Sequence, residues 1–311
     1  MLLLLQWHAL IAASPLATGN HEFDIRIGSA ERYYLVHLPP QASHGKPLPV
    51  LLAFHGGGGT PDEMQKDYRL DALADSEGFI VVYPAGTGRR RRKILTWNAR
   101  TCCGYAMVNN ADDVGFTRAI IDDLASRTSI DRKRVYACGH SNGAMMCDRL
   151  AREASDLVAA VVEVCGASLD TTVTPSRSVP VLHIHSVDDP RAAYNGGYGP
   201  KYLIGATDAS YHANVDELMA WWVRQNGCSR NPKIGTIITW RSSRRAKPHT
   251  AQRITWTGGR NGSEVVLIRL TGAGHGWPGQ KPKLPEFIMG PYTNVIDANV
   301  ELWNFCRRFT R

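Results

Sequence analysis

The feature that most limits what this chain can fold into is a series of short, predominantly apolar runs. Pro49 to Phe54 reads PVLLAF and Phe79 to Tyr83 reads FIVVY, both unbroken, and further strands are expected at Arg134 to Cys138, Ala159 to Cys165, Val179 to Ile184 and Val265 to Leu270. A strand with one wet face alternates polar and apolar residues, whereas a run with no polar interruption belongs to a strand covered on both faces. Between these runs lie helical patterns. Pro61 suits a first helical turn and opens a helix expected to reach Gly78. Asp112 and Asp113 favour a helix start through the macrodipole, and Phe116, Ile120, Ile121 and Leu124 recur at helical spacing. Helices are also expected over Ala144 to Glu153, Tyr211 to Gln225 and Asp297 to Phe309. Buried strands alternating with helices predict an α/β chain with a mostly parallel central sheet and helices on both faces. Phe23 to Ile27 and Tyr33 to Leu38 alternate and read as a hairpin at the sheet edge.

In such sheets ligands bind beyond the carboxyl ends of the strands. Four sequence motifs fall there. The central one is Gly139-His140-Ser141-Asn142-Gly143, a G-x-S-x-G between a strand and a helix. A serine on that sharp turn is lifted above the sheet, and glycines two residues to either side avoid side-chain clashes. A serine hydroxyl needs a base to become a nucleophile. His275, in the glycine loop Gly272 to Gly279 after the last strand, is the candidate; His183 and His185 read better as satisfied core histidines. The third member should orient the imidazole and support its charged form. Asp188 and Asp189 compete for that role, and spacing does not choose between them. The order Ser, Asp, His along the chain is that of α/β-hydrolases. His55-Gly56-Gly57-Gly58-Gly59 follows an early strand, where bare glycines expose amides to a developing oxyanion, and the amides of Gly57 and Asn142 are the candidate donors.

Taken together these segments resemble the poly(3-hydroxybutyrate) depolymerase and feruloyl esterase group of α/β-hydrolases, often grouped with carbohydrate esterase family 1. The likeness rests on FHGGGGT (54–60), CCGYAMVNNADDVGF (102–116), GHSNGAMM (139–146), HSVDDPRAAYNGG (185–197) and GHGWPG (274–279), which span most of the chain. The resemblance implies an α/β-hydrolase fold. It maps the triad acid onto Asp189, and it implies a serine esterase that needs neither metal nor organic cofactor and is typically exported. Trp97, Cys102 and Cys103 resemble the family's rim segment, and Trp97, Tyr194 and Trp277 are expected to form an aromatic wall for a phenolic acyl group. The implied substrate is a carboxylic ester, polymeric ones included: a feruloyl, hydroxycinnamoyl or acetyl-type ester of plant polysaccharide, with poly(3-hydroxybutyrate) or hydroxyalkanoate oligomers as the alternative. Two departures stand out. Arg191-Ala192-Ala193 replaces an apolar pair and proline, and Cys228 lacks a partner cysteine near Gly258.

The remaining features bound the function. Net charge is +8, with much of it in RRRRK (89–93) and RSSRRAK (241–247). A basic run can bind anions, but no aromatic interleaving or nucleic-acid module accompanies these, so nucleic acid is not an expected partner. A non-catalytic basic binding protein on a hydrolase scaffold, or a serine peptidase, would share the motifs; no repeat region or amine-binding acidic cluster favours the peptidase. The seven cysteines are an odd number, so at least one is not paired within the chain. Residues 1–19 (MLLLLQWHALIAASPLATG) read as a signal peptide, too short to span a membrane, which predicts a secreted or periplasmic location. Residues 20–311 are expected to form a single catalytic domain.

Overall fold

The structure is a computed structural model, and it describes residues 16–200 and 210–311. Most of the expected signal segment therefore lies outside the described residues, and Gly19, its last residue, already pairs with Leu38. The chain opens with an antiparallel hairpin, β1 (Gly19–Ile27) and β2 (Ala30–Leu38). β3 (Leu48–Phe54) leads to α1 (Pro61–Tyr68) and α2 (Leu70–Glu77), then β4 (Ile80–Pro84). The single helix expected over this stretch is two, because Arg69 adopts left-handed backbone angles (φ 56) between them. A short α3 (Gly104–Val108) precedes α4 (Asp113–Arg127), β5 (Ile130–His140), α5 (Asn142–Glu153), β6 (Ala160–Val164) and β7 (Val181–Ser186).

Two short strands, β8 (Gly197–Tyr198) and β9 (Tyr211–His212), pair with each other before α6 (Val215–Asn226). The helix expected from Tyr211 starts four residues later because Asn214 caps it, its side chain accepting from Glu217 N. Strands β10 (Lys233–Ile234), β11 (Ile238–Trp240), β12 (His249–Trp256) and β13 (Val265–Thr271) follow, then α7 (Glu286–Met289) and α8 (Ala298–Cys306).

The sheet order is β1-β2-β4-β3-β5-β6-β7-β13-β12-β10, with β11 also on β12. Its centre, from β4 through β3, β5, β6 and β7 to β13, is parallel, and both edges are antiparallel. The strand pleat divides each apolar run between two cores. Val50, Leu52 and Phe54 face the cluster closed by α4, α5 and α6; Leu51 and Ala53 face the one closed by α2 and α8. This is why PVLLAF and FIVVY carry no polar interruption: each buried aliphatic side chain stabilises the fold by roughly 1.5–3 kcal/mol on either face. Among the described residues no helix is long and apolar enough to cross a membrane.

The basic run forms a small hairpin loop, with Thr87 bridged to Thr96 and Arg90 to Lys93. Arg91 and Arg92 fold back onto Asp24 and Glu22 of β1 and lie over the Tyr33 ring. Part of the positive charge is thereby neutralised within the fold. Cys102 and Cys103 are joined to each other, and the other five cysteines are buried thiols. Cys228 has no disulfide partner; Gly259 stands against it, where an added Cβ would lie 2.8 Å from the sulfur.

Candidate active site

A cavity of about 500 Å³ opens at the carboxyl edge of the parallel strands. It is lined by the His55–Gly59 loop after β3, Ser141 after β5, and His275 and Trp277 after β13.

Ser141 joins β5 to α5 with φ 56 and ψ −120, a backbone conformation that costs on the order of 1–3 kcal/mol outside glycine. Its surroundings over-determine it. Ser141 N donates to Val164 O at 2.8 Å, and its carbonyl accepts from Met145 N. A Cβ at Gly139 would sit 2.2 Å from Gly143 O, and one at Gly143 would sit 2.1 Å from Phe54 O. Those contacts are the physical content of the two glycines in G-x-S-x-G. A third glycine, Gly166 after β6, belongs to no motif, yet a Cβ there would lie 2.1 Å from Ser141 O.

His275 is carried by a loop whose glycines allow close backbone approach. His275 N donates to Met289 O, and a Cβ at Gly274 would lie 2.1 Å from that oxygen. His275 Nδ1 is 2.8 Å from Asp189 Oδ2. The other carboxylate oxygen, Oδ1, accepts from Arg191 N and Ala192 N at 2.7 and 2.8 Å. Burial alone would raise the Asp189 carboxyl, but the charge of His275 and its hydrogen bond outweigh burial and hold it well below the usual carboxylate range. Asp188 points elsewhere, accepting from Gly272 N at 2.6 Å. Of the two competing aspartates, the one beside His275 is thus Asp189.

The glycine loop is fixed by His55. Its Nδ1 lies 2.8 Å from Gly56 O, and its Nε2 accepts from Gly86 N at 3.1 Å. Burial lowers this imidazole to about 4, so it is neutral. Gly58 N and Gly59 N donate to Leu95 O and Gly56 O, whereas the Gly57 amide donates to no backbone carbonyl among the described residues. The Asn142 amide stands at the first turn of α5, where helix amides have no intrahelical acceptor. Among the described residues both expected donors are thus polar groups near the serine without a backbone acceptor.

Two members of the expected aromatic wall are not at the cavity. Trp97 is fully buried, edge-on to Phe54, with its indole N–H donating to His55 O at 2.9 Å. Its backbone is clamped by Asn142, whose Oδ1 accepts from Trp97 N and whose Nδ2 donates to Trp97 O. Trp97 therefore ties the glycine loop to the serine turn and cannot touch an acyl group. Tyr194 is also buried; its hydroxyl donates to Asp216 at 2.7 Å and its ring packs on His185. Only Trp277 of the three lines the cavity, held by Asn299 and packed edge-on to Tyr68.

The sequence did not single out the rest of the lining. Met64 and Tyr68 come from α1, and Lys283, Leu284, Ile288 and Met289 come from the segment after the histidine loop. Lys283 reaches across to Asp67 at 2.8 Å. The Tyr68 hydroxyl lies 2.9 Å from His140 Nδ1, and burial lowers His140 to about 3. Met64 occupies a core-facing helical position, a signal indistinguishable from ordinary packing.

His140, Cys165 and His275 have nitrogen and sulfur atoms within 4.8 Å of one another. Burial pushes the Cys165 thiol well up, it donates to Gly276 O, and His275 Nδ1 is engaged by Asp189.

A parallel sheet whose carboxyl edge carries a strained serine and a buried histidine–aspartate pair on one cavity is the arrangement of an α/β-hydrolase. More narrowly, the chain belongs to the Esterase PHB depolymerase family, whose model matches residues 32–251. Ser141 and Asp189 fall inside that span and His275 beyond it. The chain is 30% identical over 270 residues to NocK of Nocardia uniformis subsp. tsuyamanensis, an esterase by name, covering 82% of this chain and 73% of NocK. It is 28% identical over 216 residues to feruloyl esterase B of Piromyces equi, covering 66% of this chain but 37% of that protein. Among solved structures, a dienelactone hydrolase-like promiscuous phosphotriesterase from metagenomic libraries superposes with a TM-score of 0.57 at 14% identity, over 94% of this chain and 98% of the other. At that identity the likeness concerns the fold alone.

Proposed function

We propose that this esterase hydrolyses carboxylic esters through an acyl-enzyme. Ser141 Oγ attacks the ester carbonyl while His275 takes its proton, and Asp189 holds the imidazole in the required tautomer and supports its charged form. The amides of Gly57 and Asn142 stabilise the oxyanion, each worth on the order of 3 kcal/mol of barrier. His275 then returns the proton to the leaving alcohol, and water completes the cycle by the same route. The observation that carries this reading is the 2.8 Å contact of His275 Nδ1 with Asp189 on the cavity that Ser141 lines.

The substrate we propose is a hydroxycinnamoyl ester of the feruloyl type. The cavity volume of about 500 Å³ accommodates an aromatic acyl group, and its apolar lining is aromatic at Trp277 and Tyr68. An acetyl-type ester of plant polysaccharide would leave most of that lining unfilled. The Esterase PHB depolymerase family description supports the alternative, a hydroxyalkanoate oligomer. Export, suggested by the apolar residues before Thr18, places such esters within reach of the enzyme. The test compares methyl ferulate, a 3-hydroxybutyrate oligomer and p-nitrophenyl acetate. A kcat/KM highest for methyl ferulate, and falling for that substrate alone in Trp277→Leu, supports the hydroxycinnamoyl reading. Cleavage of the oligomer and the acetate but not methyl ferulate refutes it in favour of an aliphatic ester.

A further inference from the structure

Behind Asp189 runs a file of buried polar side chains that the proposed mechanism does not use. Glu163 on β6 and His183 on β7 are register partners in the parallel ladder. Glu163 Oε2 lies 2.9 Å from His183 Nδ1, and His183 Nε2 lies 3.0 Å from His185 Nδ1, the two rings stacked at 17°. His185 Nε2 then lies 2.8 Å from Ala192 O and 3.6 Å from Asp189 Oδ2. All three side chains are fully buried.

The protons in this file can be assigned from its far end. Ala192 O is a carbonyl and can only accept, so His185 Nε2 carries hydrogen. Neutral His185 then offers a lone pair at Nδ1, which accepts from His183 Nε2–H. Burial lowers the His183 imidazole and keeps it neutral, so its Nδ1 also offers a lone pair, and Glu163 Oε2 donates to it rather than accepting from an imidazolium. A carboxylate has no proton to give, so Glu163 is a carboxylic acid. Its second oxygen, Oε1, is buried without a hydrogen-bond partner among the described residues, which a neutral acid tolerates far better than an anion. The electrostatics agree: burial pushes Glu163 well up and both imidazoles down.

We infer that Glu163, His183 and His185 are positioning residues: a neutral acid at the inner end satisfies His183 Nδ1 and so holds both imidazoles in place, and with them the turn that presents Asp189 to His275. This inference rests on the triad reading above. The link to the turn is direct, since Ala192 gives its amide to Asp189 Oδ1 and its carbonyl to His185. Without the Glu163 donor, His183 Nδ1 is left as a buried acceptor with no partner, at the full desolvation cost of that atom. The rings relieve it by shifting, and His185 then moves away from Ala192 O, the carbonyl that ties it to the Asp189 turn.

The charged and titratable groups around the file are few. Asp148 and Arg152 of α5, paired to each other, face Glu163, and so does the Cys147 thiol of the same helix. Asp189 and His275 face His185, His212 lies near both, and the Cys165 thiol lies against Asp189.

The experiment compares Glu163→Gln with Glu163→Leu in the full chain and reads the histidine tautomers of the wild type by ¹⁵N NMR. A glutamine amide still donates to His183, so Glu163→Gln retains wild-type kcat. Glu163→Leu loses about tenfold or more in kcat with KM unchanged, as a displaced catalytic group does. Its acid limb of kcat/KM moves to lower pH, because His275 loses carboxylate support for its charged form. In the wild type both His183 and His185 are neutral with hydrogen on Nε2. Wild-type kcat or an unmoved acid limb in Glu163→Leu overturns the inference, as does a Glu163→Gln variant equally impaired. An Nδ1–H tautomer at either histidine overturns it even if Glu163→Leu does not fold. The tautomers are read without turnover, so a failed triad assignment would leave them unchanged and the two ideas fail separately.

Discussion

Gly166 lies outside every motif, yet the structure gives it a decisive part in holding Ser141. Replacing it by alanine adds one methyl group. That Cβ would sit 2.1 Å from Ser141 O, 2.7 Å from its carbonyl carbon and 3.0 Å from its Cα, all backbone atoms with no rotamer to change. Ordinary carbon–oxygen contact requires more than a further 1 Å, so the serine turn must move by about that much. Forcing a methyl into a packed site costs typically 1–3 kcal/mol. A shift of about 1 Å in a reacting group costs on the order of 10²-fold in rate. Gly166→Ala should therefore fold, melt lower by roughly 2–4 °C for each kcal/mol lost, and lose about 100-fold in kcat. Gly276→Ala is the control: its Cβ meets only Pro282 Cγ, at 3.4 Å, so it should remain close to wild type in stability. Steady-state kinetics on p-nitrophenyl acetate and a thermal melt measure both. A Gly166→Ala enzyme with wild-type kcat would refute the claim that this glycine keeps the serine turn in place.

Acid sensitivity follows from the buried histidines. His55 and His212 are lowered to about 4 and His140 to about 3, chiefly by burial, against an ordinary value of about 6.5. The unfolded chain therefore binds protons between pH 6.5 and 4 that the folded chain refuses, and stability falls as pH falls through that window. Melting temperatures from pH 7 to 4 should decline, and His140→Gln should flatten part of the decline; a flat wild-type profile would contradict this. Trp97→Phe keeps a ring but removes the N–H that bonds His55 O, so it should lower kcat for all esters alike. A selective loss toward methyl ferulate would return Trp97 to the cavity wall.

The sheet was legible because burial on two faces writes itself into sequence as short apolar runs, unbroken in PVLLAF and FIVVY, and its motifs fell where strands end. The choice of Asp189 over Asp188 was not legible from spacing. Adjacent residues differ only in direction, and direction is set by the Arg191 and Ala192 amides that gather on Asp189. Trp97 and Tyr194 were misread because aromatic rings near a glycine loop look alike whether they face a substrate or a core. What separates them is the partner of the polar atom, here His55 O and Asp216. The break at Arg69 escaped because a left-handed arginine leaves no compositional trace. His183 and His185 were expected to be satisfied core histidines, and they are hydrogen-bonded within the core. Their spacing of two on a strand, which sets them on one face beside Glu163, was the overlooked signal.

The central claim is that Ser141 is the nucleophile activated by His275 and Asp189. Its most direct measurement is the intact mass of the protein after reaction with a fluorophosphonate, with the modified residue located by peptide mapping. The account predicts one adduct on Ser141, abolished in Ser141→Ala together with all ester turnover while the fold persists. Asp189→Asn should label slowly, with kcat lower by about 10⁴. An adduct on another residue, or turnover that survives Ser141→Ala, would contradict it.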